Sequence, residues 1–183
     1  MLRFPIGAIT DEFSPDLAIA APAMKELGMT GAELRVVGGK NIMDLTEDEL
    51  TAAIELCEAN GLKIISIATP LLKCTLPDAP ELDSRFQQDI FNSKHTFEDQ
   101  PRLTAKAFHI AKRTGAKIIR VFSYWRVVDP DAIFERIVDA LQDLADKAAA
   151  EGLIIGIENE HACNIGTAAE TRKLETLAGS MHL

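Results

Sequence analysis

An apolar strand-like run, a polar loop, a capped helix and a closing glycine recur five times along this chain, and that recurrence constrains the fold more than any other feature. The closing glycines are Gly28, Gly61, Gly115, Gly152 and Gly179, a residue favoured there because helix ends use the left-handed backbone. The strands read as Phe4 to Thr10, Gly31 to Val37, Leu62 to Thr69, Ala116 to Ser123 and Leu153 to Ile157. The helices open at Ser14 followed by Pro15, at a Thr46/Glu49 capping box, at Pro101, at Asp129 followed by Pro130, and at a Thr167/Glu170 capping box. Ser180 to Leu183 reads as the start of another strand, and the stretch from Pro70 to Gln100 has no clean period. Loops of that length usually carry function or small helices of their own.

Strands alternating with helices imply a parallel sheet with right-handed crossovers. Two architectures satisfy this: a complete doubly wound sheet of five strands, or a (β/α)8 barrel of about 250 residues stopped after its fifth unit. The strand faces separate them. One face carries Leu34 and Val36, Ile65 and Ile67, Ile119 and Val121, Ile155 and Ile157; the other carries Glu33 and Arg35, Ser66 and Ala68, Arg120 and Phe122, Gly156 and Glu158. Under helices those charges would be strongly penalised, whereas inside a barrel they can pair around a polar ligand. The expectation is a partial TIM barrel of about five βα units, forming one incomplete domain over residues 1–183, although structural ion pairs or a one-residue slip in register would explain Arg35 and Arg120 equally well.

Composition narrows the function. A formal net charge of −9 would repel phosphate backbones, and no basic stripe with interleaved aromatics occurs, so nucleic acid is not the expected partner. No apolar run approaches the roughly 20 residues that cross a bilayer, and the start lacks a signal-peptide pattern, so a cytoplasmic location away from membranes is expected. The three cysteines, Cys57, Cys74 and Cys163, lack metal-type pairing and read as inert thiols. Gly38-Gly39-Lys40-Asn41 is not a phosphate loop, because Leu34 and Asn41 stand where Gly and Ser or Thr are required. No nucleophile elbow is present, and Cys163 with His161 two residues away makes a poor catalytic pair.

In parallel α/β folds ligands sit outside the carboxyl ends of the strands. The apolar run ending at Ile157 leads into Glu158-Asn-Glu-His-Ala-Cys-Asn164, which makes Glu158 the first candidate, with Glu160 and His161 poised between substrate contact and loop hydrogen bonding. His109, beside Phe108 in a helix, reads as packing; His95 and His182 support no metal site.

Four motifs carry a resemblance: Thr10-Asp-Glu-Phe-Ser-Pro-Asp16, Glu33-Leu-Arg35 with Gly39-Lys-Asn41, Arg120-Val-Phe-Ser-Tyr-Trp-Arg126, and Glu158-Asn-Glu-His-Ala-Cys-Asn-Ile-Gly166. The chain resembles the xylose isomerase-like TIM barrels, specifically the sugar phosphate isomerase/epimerase group, along its whole length. The resemblance implies Glu158 as a ligand of a divalent metal, Mn2+ or Mg2+ first and Co2+ or Zn2+ next, and as an acid/base group for proton transfer beside a carbonyl through an enediolate. It further implies a sugar or sugar phosphate as substrate, with Glu12, Arg35, Trp125, Arg126, Glu160 and His161 as substrate-binding candidates. A flat Trp125 ring suits a sugar's C–H face and the Arg126 guanidinium suits phosphate, although Trp125 packing a loop is an equally good reading. The family's remaining ligands come from strands six to eight, which the resemblance places beyond Leu183; the chain is therefore expected to be an amino-terminal portion, inactive alone and holding no metal by itself. Two alternatives stay open. One is a non-catalytic half-barrel that binds sugar weakly or self-associates through open sheet edges; the other is the superfamily's metal-dependent endonuclease branch, disfavoured by the acidic charge and by Thr69 and Ser123 where histidine ligands would stand.

Overall fold

The computed structural model describes residues 4–86 and 94–178. Gly179 and the Ser180–Leu183 strand reading, with His182, lie outside them. Five parallel strands form one sheet in the order β1-β2-β5-β6-β7, with β1 (Gly7–Ile9), β2 (Gly31–Leu34), β5 (Lys63–Ala68), β6 (Ile118–Val121) and β7 (Ile154–Ile157). β1 and β7 are the two ends of that order among the described residues. A small antiparallel hairpin pairs β3 (Val36–Val37) with β4 (Lys40–Asn41) around Gly38 and Gly39. The helices are α1 (Leu17–Glu26), α2 (Glu47–Ala59), α3 (Gln100–Thr114), α4 (Phe134–Ala150) and α5 (Ala168–Ala178). The chain divides into two compact units: Met1–Thr69 with Lys106–Ile119, and Pro70–Ala105 with Arg120–Leu183.

The first unit shows why its elements form where they do. Thr46 Oγ1 accepts from Glu49 N while a Glu49 oxygen accepts from Thr46 N, the reciprocal bonds of a capping box opening α2. α1 differs from expectation. Its cap is Asp16, whose carboxylate accepts from Ala18 N, whereas Ser14 Oγ accepts from Asp16 N and shapes the preceding turn. A carboxylate nearer the helix wins, because it meets the first free amides directly. His109 is not packed away: on α3 it lies 2.8 Å from Glu47 of α2 and is half exposed.

Strand faces follow the alternation expected in part, and Val36 and Ile157, both expected on the packed face, are only half-buried. Leu34, Ile67, Ile119, Val121 and Ile155 are fully buried, whereas Ile65 is 39% exposed. Pairing shifts between β2 and β5 so that Ala32 faces Ile64 and Glu33 faces Ser66, leaving Ile65 as the extra residue of a bulge. Its side chain lies over Gly7 and Gly31, where an added Cβ would come within 2.9 and 3.1 Å of Ile65 Cδ1. Both glycines make room for that isoleucine, which lies on the face opposite to the one its position in the strand predicts.

In the second unit, Asp129 makes no side-chain cap. Pro130–Ile133 forms a 3-10 turn and α4 follows directly from Phe134. The long loop after β5 is held to α3 by Gln100, whose side-chain oxygen accepts from Leu72 N and whose amide donates to Thr96 O. Two bulky residues adopt left-handed backbone here, Leu72 with φ 59° and Tyr124 with φ 60°.

Candidate functional site

Each unit brings polar side chains together at strand carboxyl ends. In the first, Arg35 follows β2 and is taken up by two carboxylates from the turn after β1. Its Nε donates to Asp11 Oδ2 at 3.0 Å, and its Nη2 pairs with Asp11 at 2.8 Å and with Glu12 at 2.5 Å. Burial disfavours the guanidinium charge, but the bonds and charges of Asp11 and Glu12 outweigh it, raising the Arg35 pKa further. Asp11 also accepts from Val36 N, which fixes the chain leaving β2. Glu12 and Arg35, both substrate-binding candidates from the sequence, therefore partner each other. Asp11 is the residue that organises them. Beside them in the same unit, Ser66 Oγ donates to Glu33 Oε2 across β2 and β5.

In the second unit, Glu158 N donates to Val121 O and continues the ladder past the end of β7. The Glu158 carboxylate is part exposed and lies 2.9 Å from Arg120 Nε. Arg120 in turn stacks on Phe122, with its guanidinium carbon 4.4 Å from the ring centroid. The buried Lys73 ammonium sits 4.3 Å from the same ring and 5.6 Å from that of Trp125. Cation–π contacts gain strength where water is excluded. Glu158 thus closes a row of two cations and two aromatic rings.

Trp125 is 7% exposed, packing with Phe122, Ala162 and Cys163. Arg126 is occupied within the loops: Nη2 lies 2.6 Å from Glu170 Oε1, and Nη1 donates to the Cys163 carbonyl. Glu160 Oε1 accepts from Ala162 N and lies 2.6 Å from His161 Nδ1, with His161 itself largely exposed.

Glu170, in the first turn of α5, accepts from Gly166 N and from Thr167 Oγ1 as well as from Arg126. Burial alone would raise its pKa; the bonds from Arg126, Gly166 and Thr167 and the Arg126 charge prevail and hold it below the ordinary carboxylate value. A depressed folded-state pKa stabilises above the unfolded-state pKa and loses that contribution as pH falls through the folded value. Glu170→Gln is accordingly expected to lower stability at neutral pH and to flatten the decline in Tm between about pH 5 and pH 3, as read by thermal melts across that range.

The residue missed by sequence reasoning is Asn164. Fully buried, it donates through Nδ2 to the carbonyls of Ser123, Tyr124 and Trp125 at 2.9, 3.2 and 3.0 Å and accepts from Val127 N at 3.1 Å. This one amide clamps the loop after β6 against the loop after β7. Ser123 Oγ accepts from Ile165 N, a structural use of that hydroxyl. The cysteines are buried and unbridged, and burial pushes the Cys57 and Cys74 thiols up to about 11 and about 12, which keeps them unreactive.

A divalent cation such as Mg2+ needs about six oxygen ligands. Among the described residues no group of three or more His, Cys, Asp or Glu could hold a metal ion, and Glu158 already faces Arg120. These residues alone do not fit such an ion.

The comparisons agree with this architecture. A family model described as xylose isomerase-like TIM barrel matches residues 21–180, and the chain belongs to that family. No match was found among curated proteins. Among solved structures the chain is similar to the probable 3-DHS dehydratase AsbF involved in petrobactin synthesis from Bacillus anthracis, with 15% identity, TM-score 0.68, and coverage of 98% of this chain and 61% of that one. It is similar to 3-keto-D-glucoside 4-epimerase, YcjR, from E. coli, with 15% identity, TM-score 0.63, and coverage of 100% and 66%. A third is a xylose isomerase-like TIM barrel protein from Mycobacterium smegmatis in complex with magnesium, with 15% identity, TM-score 0.60, and coverage of 96% and 61%. The chain spans about three fifths of the length of such relatives, and 57% and 61% of two further xylose isomerase domain proteins. At these identities the likeness is one of fold. No helix among the described residues is long and apolar enough to cross a membrane.

Proposed function

We propose that this chain carries the Glu158 corner of a divalent-metal-dependent sugar or sugar phosphate isomerase or epimerase. The observation that carries the reading is the Glu158 carboxylate, part exposed at the end of β7 and 2.9 Å from a stacked Arg120. A carboxylate so placed can take the proton from the carbon next to a substrate carbonyl, and a permanently charged guanidinium beside it can stabilise the enediolate oxygen that results. Returning the proton to the adjacent carbon on the same face gives isomerisation; epimerisation needs a second acid on the opposite face. In a complete relative a bound metal would supply polarisation of the carbonyl and a grip on the neighbouring hydroxyl; Glu158 would be this chain's single ligand to it, which does not hold the ion without further oxygen ligands. An epimerase and a magnesium complex among the similar structures support the reading. Its test is incorporation of solvent deuterium next to the carbonyl of aldoses, ketoses and their phosphates by a full-length relative, with and without glutamine in place of the glutamate that matches Glu158; incorporation undiminished by that replacement would sink the reading.

A second reading is favoured by one observation. Ile118 and Ile154 are 37% and 41% exposed and by alternation lie opposite the buried Ile119 and Ile155, and Ile65, at the bulge, is 39% exposed. Exposed apolar side chains and unpaired edges at β1 and β7 favour self-association. Light scattering is expected to show a mass above the 20.0 kDa monomer; a monodisperse monomer at high concentration would remove this reading.

A further inference from the structure

We propose that the groove between α1, the β3–β4 hairpin and α2 in the first unit is a docking site for a partner protein segment that presents one bulky apolar side chain flanked by lysine or arginine. Every residue that lines it belongs to that unit, and none is a residue assigned to the sugar chemistry. Leu17 and Ala53, both buried, form its floor, and the half-buried Val37, Leu45 and Leu56 form its walls. The groove stays open to solvent because Ala18 and Ala52 bring only a methyl group to its rim, and Gly38 none.

Bonds among the three walls hold the groove in shape. Gly38 N donates to Pro15 O at 2.8 Å, tying the hairpin to the turn before α1, and Lys40 pairs with Glu49, tying it to α2. Asp16 caps α1 and the Thr46/Glu49 box opens α2, so both helix starts are fixed as well. A site built before its ligand arrives spares the cost of ordering it. Its volume, about 230 Å³, decides the kind of occupant. That is below the roughly 300–1,000 Å³ of small-molecule sites but above the roughly 150 Å³ that holds a benzene ring, which is the scale of one anchoring side chain. Protein interfaces concentrate their binding energy in anchors of this kind.

Charge selects what flanks the anchor. On the lining, Asp16 and Glu49 stand against Lys40. Asp44 and Asp48, both exposed, adjoin Leu45 and Glu49 in the chain. Lys40 and Glu49 offset each other, so the excess belongs to Asp16, Asp44 and Asp48, and the formal net charge of −9 adds to it at longer range. A basic segment is steered towards such a surface and an acidic one is turned away.

The probe is the peptide acetyl-Gly-Lys-Leu-Arg-Gly-amide, titrated into the isotope-labelled chain and followed by amide NMR. Saturable shifts are expected at Leu17, Val37, Gly38, Leu45, Ala52 and Leu56. Alanine in place of the peptide's leucine should weaken binding about tenfold, and glutamate in place of its lysine and arginine should abolish it. Raising NaCl from about 50 to about 500 mM should weaken it about threefold or more. In the chain, Ala52→Phe fills the groove from an exposed position and should raise Kd about tenfold. Asp16→Asn combined with Glu49→Gln keeps both helix starts, since asparagine caps well and glutamine serves in a capping box, but reverses the sign of charge on the lining. It should raise Kd about fivefold with thermal melts little changed. No saturable shift up to about 10 mM peptide, shifts centred elsewhere, equal binding of the alanine or glutamate peptide, or indifference to either variant would each overturn the proposal. So would isoamylamine binding as tightly as the peptide, which would make the groove a small-amine site, or concentration-dependent shifts of the same amides without peptide, which would assign it to a second copy of the chain.

Discussion

Replacing Asn164 with alanine is expected to lower the Tm of this chain by about 6–20 °C. The side chain is fully buried, and its removal strips a partner from the carbonyls of Ser123, Tyr124 and Trp125 and from the amide of Val127. Each buried polar group left unsatisfied costs about 1–3 kcal/mol. Relaxation of the loops and entry of water reduce the sum, so about 3–5 kcal/mol is expected, and in a domain of this size 1 kcal/mol moves Tm by about 2–4 °C. Asn164→Asp is a sharper variant. It keeps the shape and the acceptor for Val127 N, but directs a carboxylate oxygen at three carbonyls, and should destabilise at least as much at neutral pH. A Tm within about 2 °C of the unaltered chain for either variant would show that the clamp is dispensable.

Asn164 also shows where sequence reading stops. An asparagine's value here comes from partners 37 to 41 positions away, which no local pattern reveals. The repeating module was legible for the opposite reason. Alternating apolar residues, the Thr46/Glu49 box and the closing glycines act within a few residues of themselves, and Gly28, Gly61, Gly115 and Gly152 do take positive φ. Ile65 misled because a bulge is set by pairing between strands, and the clue, glycines at 7 and 31 facing it, lies in two other strands. Ser14 and Asp16 both suit a helix cap; only the turn's path selects between them. At the site, Glu158 could be picked out by its position after an apolar run, and Arg120 by its place on the polar face. Their pairing, and the ring of Phe122 that Arg120 shares with Lys73, required the fold.

Glu158→Gln is the variant with the largest expected effect on chemistry. The glutamine keeps the size of the side chain and an oxygen for Arg120, so stability should change by no more than about 1 kcal/mol, as for part-exposed ion pairs in general. What it removes is the capacity to accept a proton at that position, and a positioned general base contributes typically about 100- to 10,000-fold. The direct measurement is proton NMR in D2O, with a full-length relative, Mn2+ or Mg2+, and a panel of aldoses, ketoses and sugar phosphates, following loss of the signal from the carbon next to the carbonyl. Exchange above background with at least one sugar is expected of the relative, with a loss of about 100-fold or more when the glutamate matching Glu158 is replaced by glutamine, and no exchange above background is expected of this chain alone. Exchange that proceeds equally in the glutamine variant would contradict the assignment of Glu158.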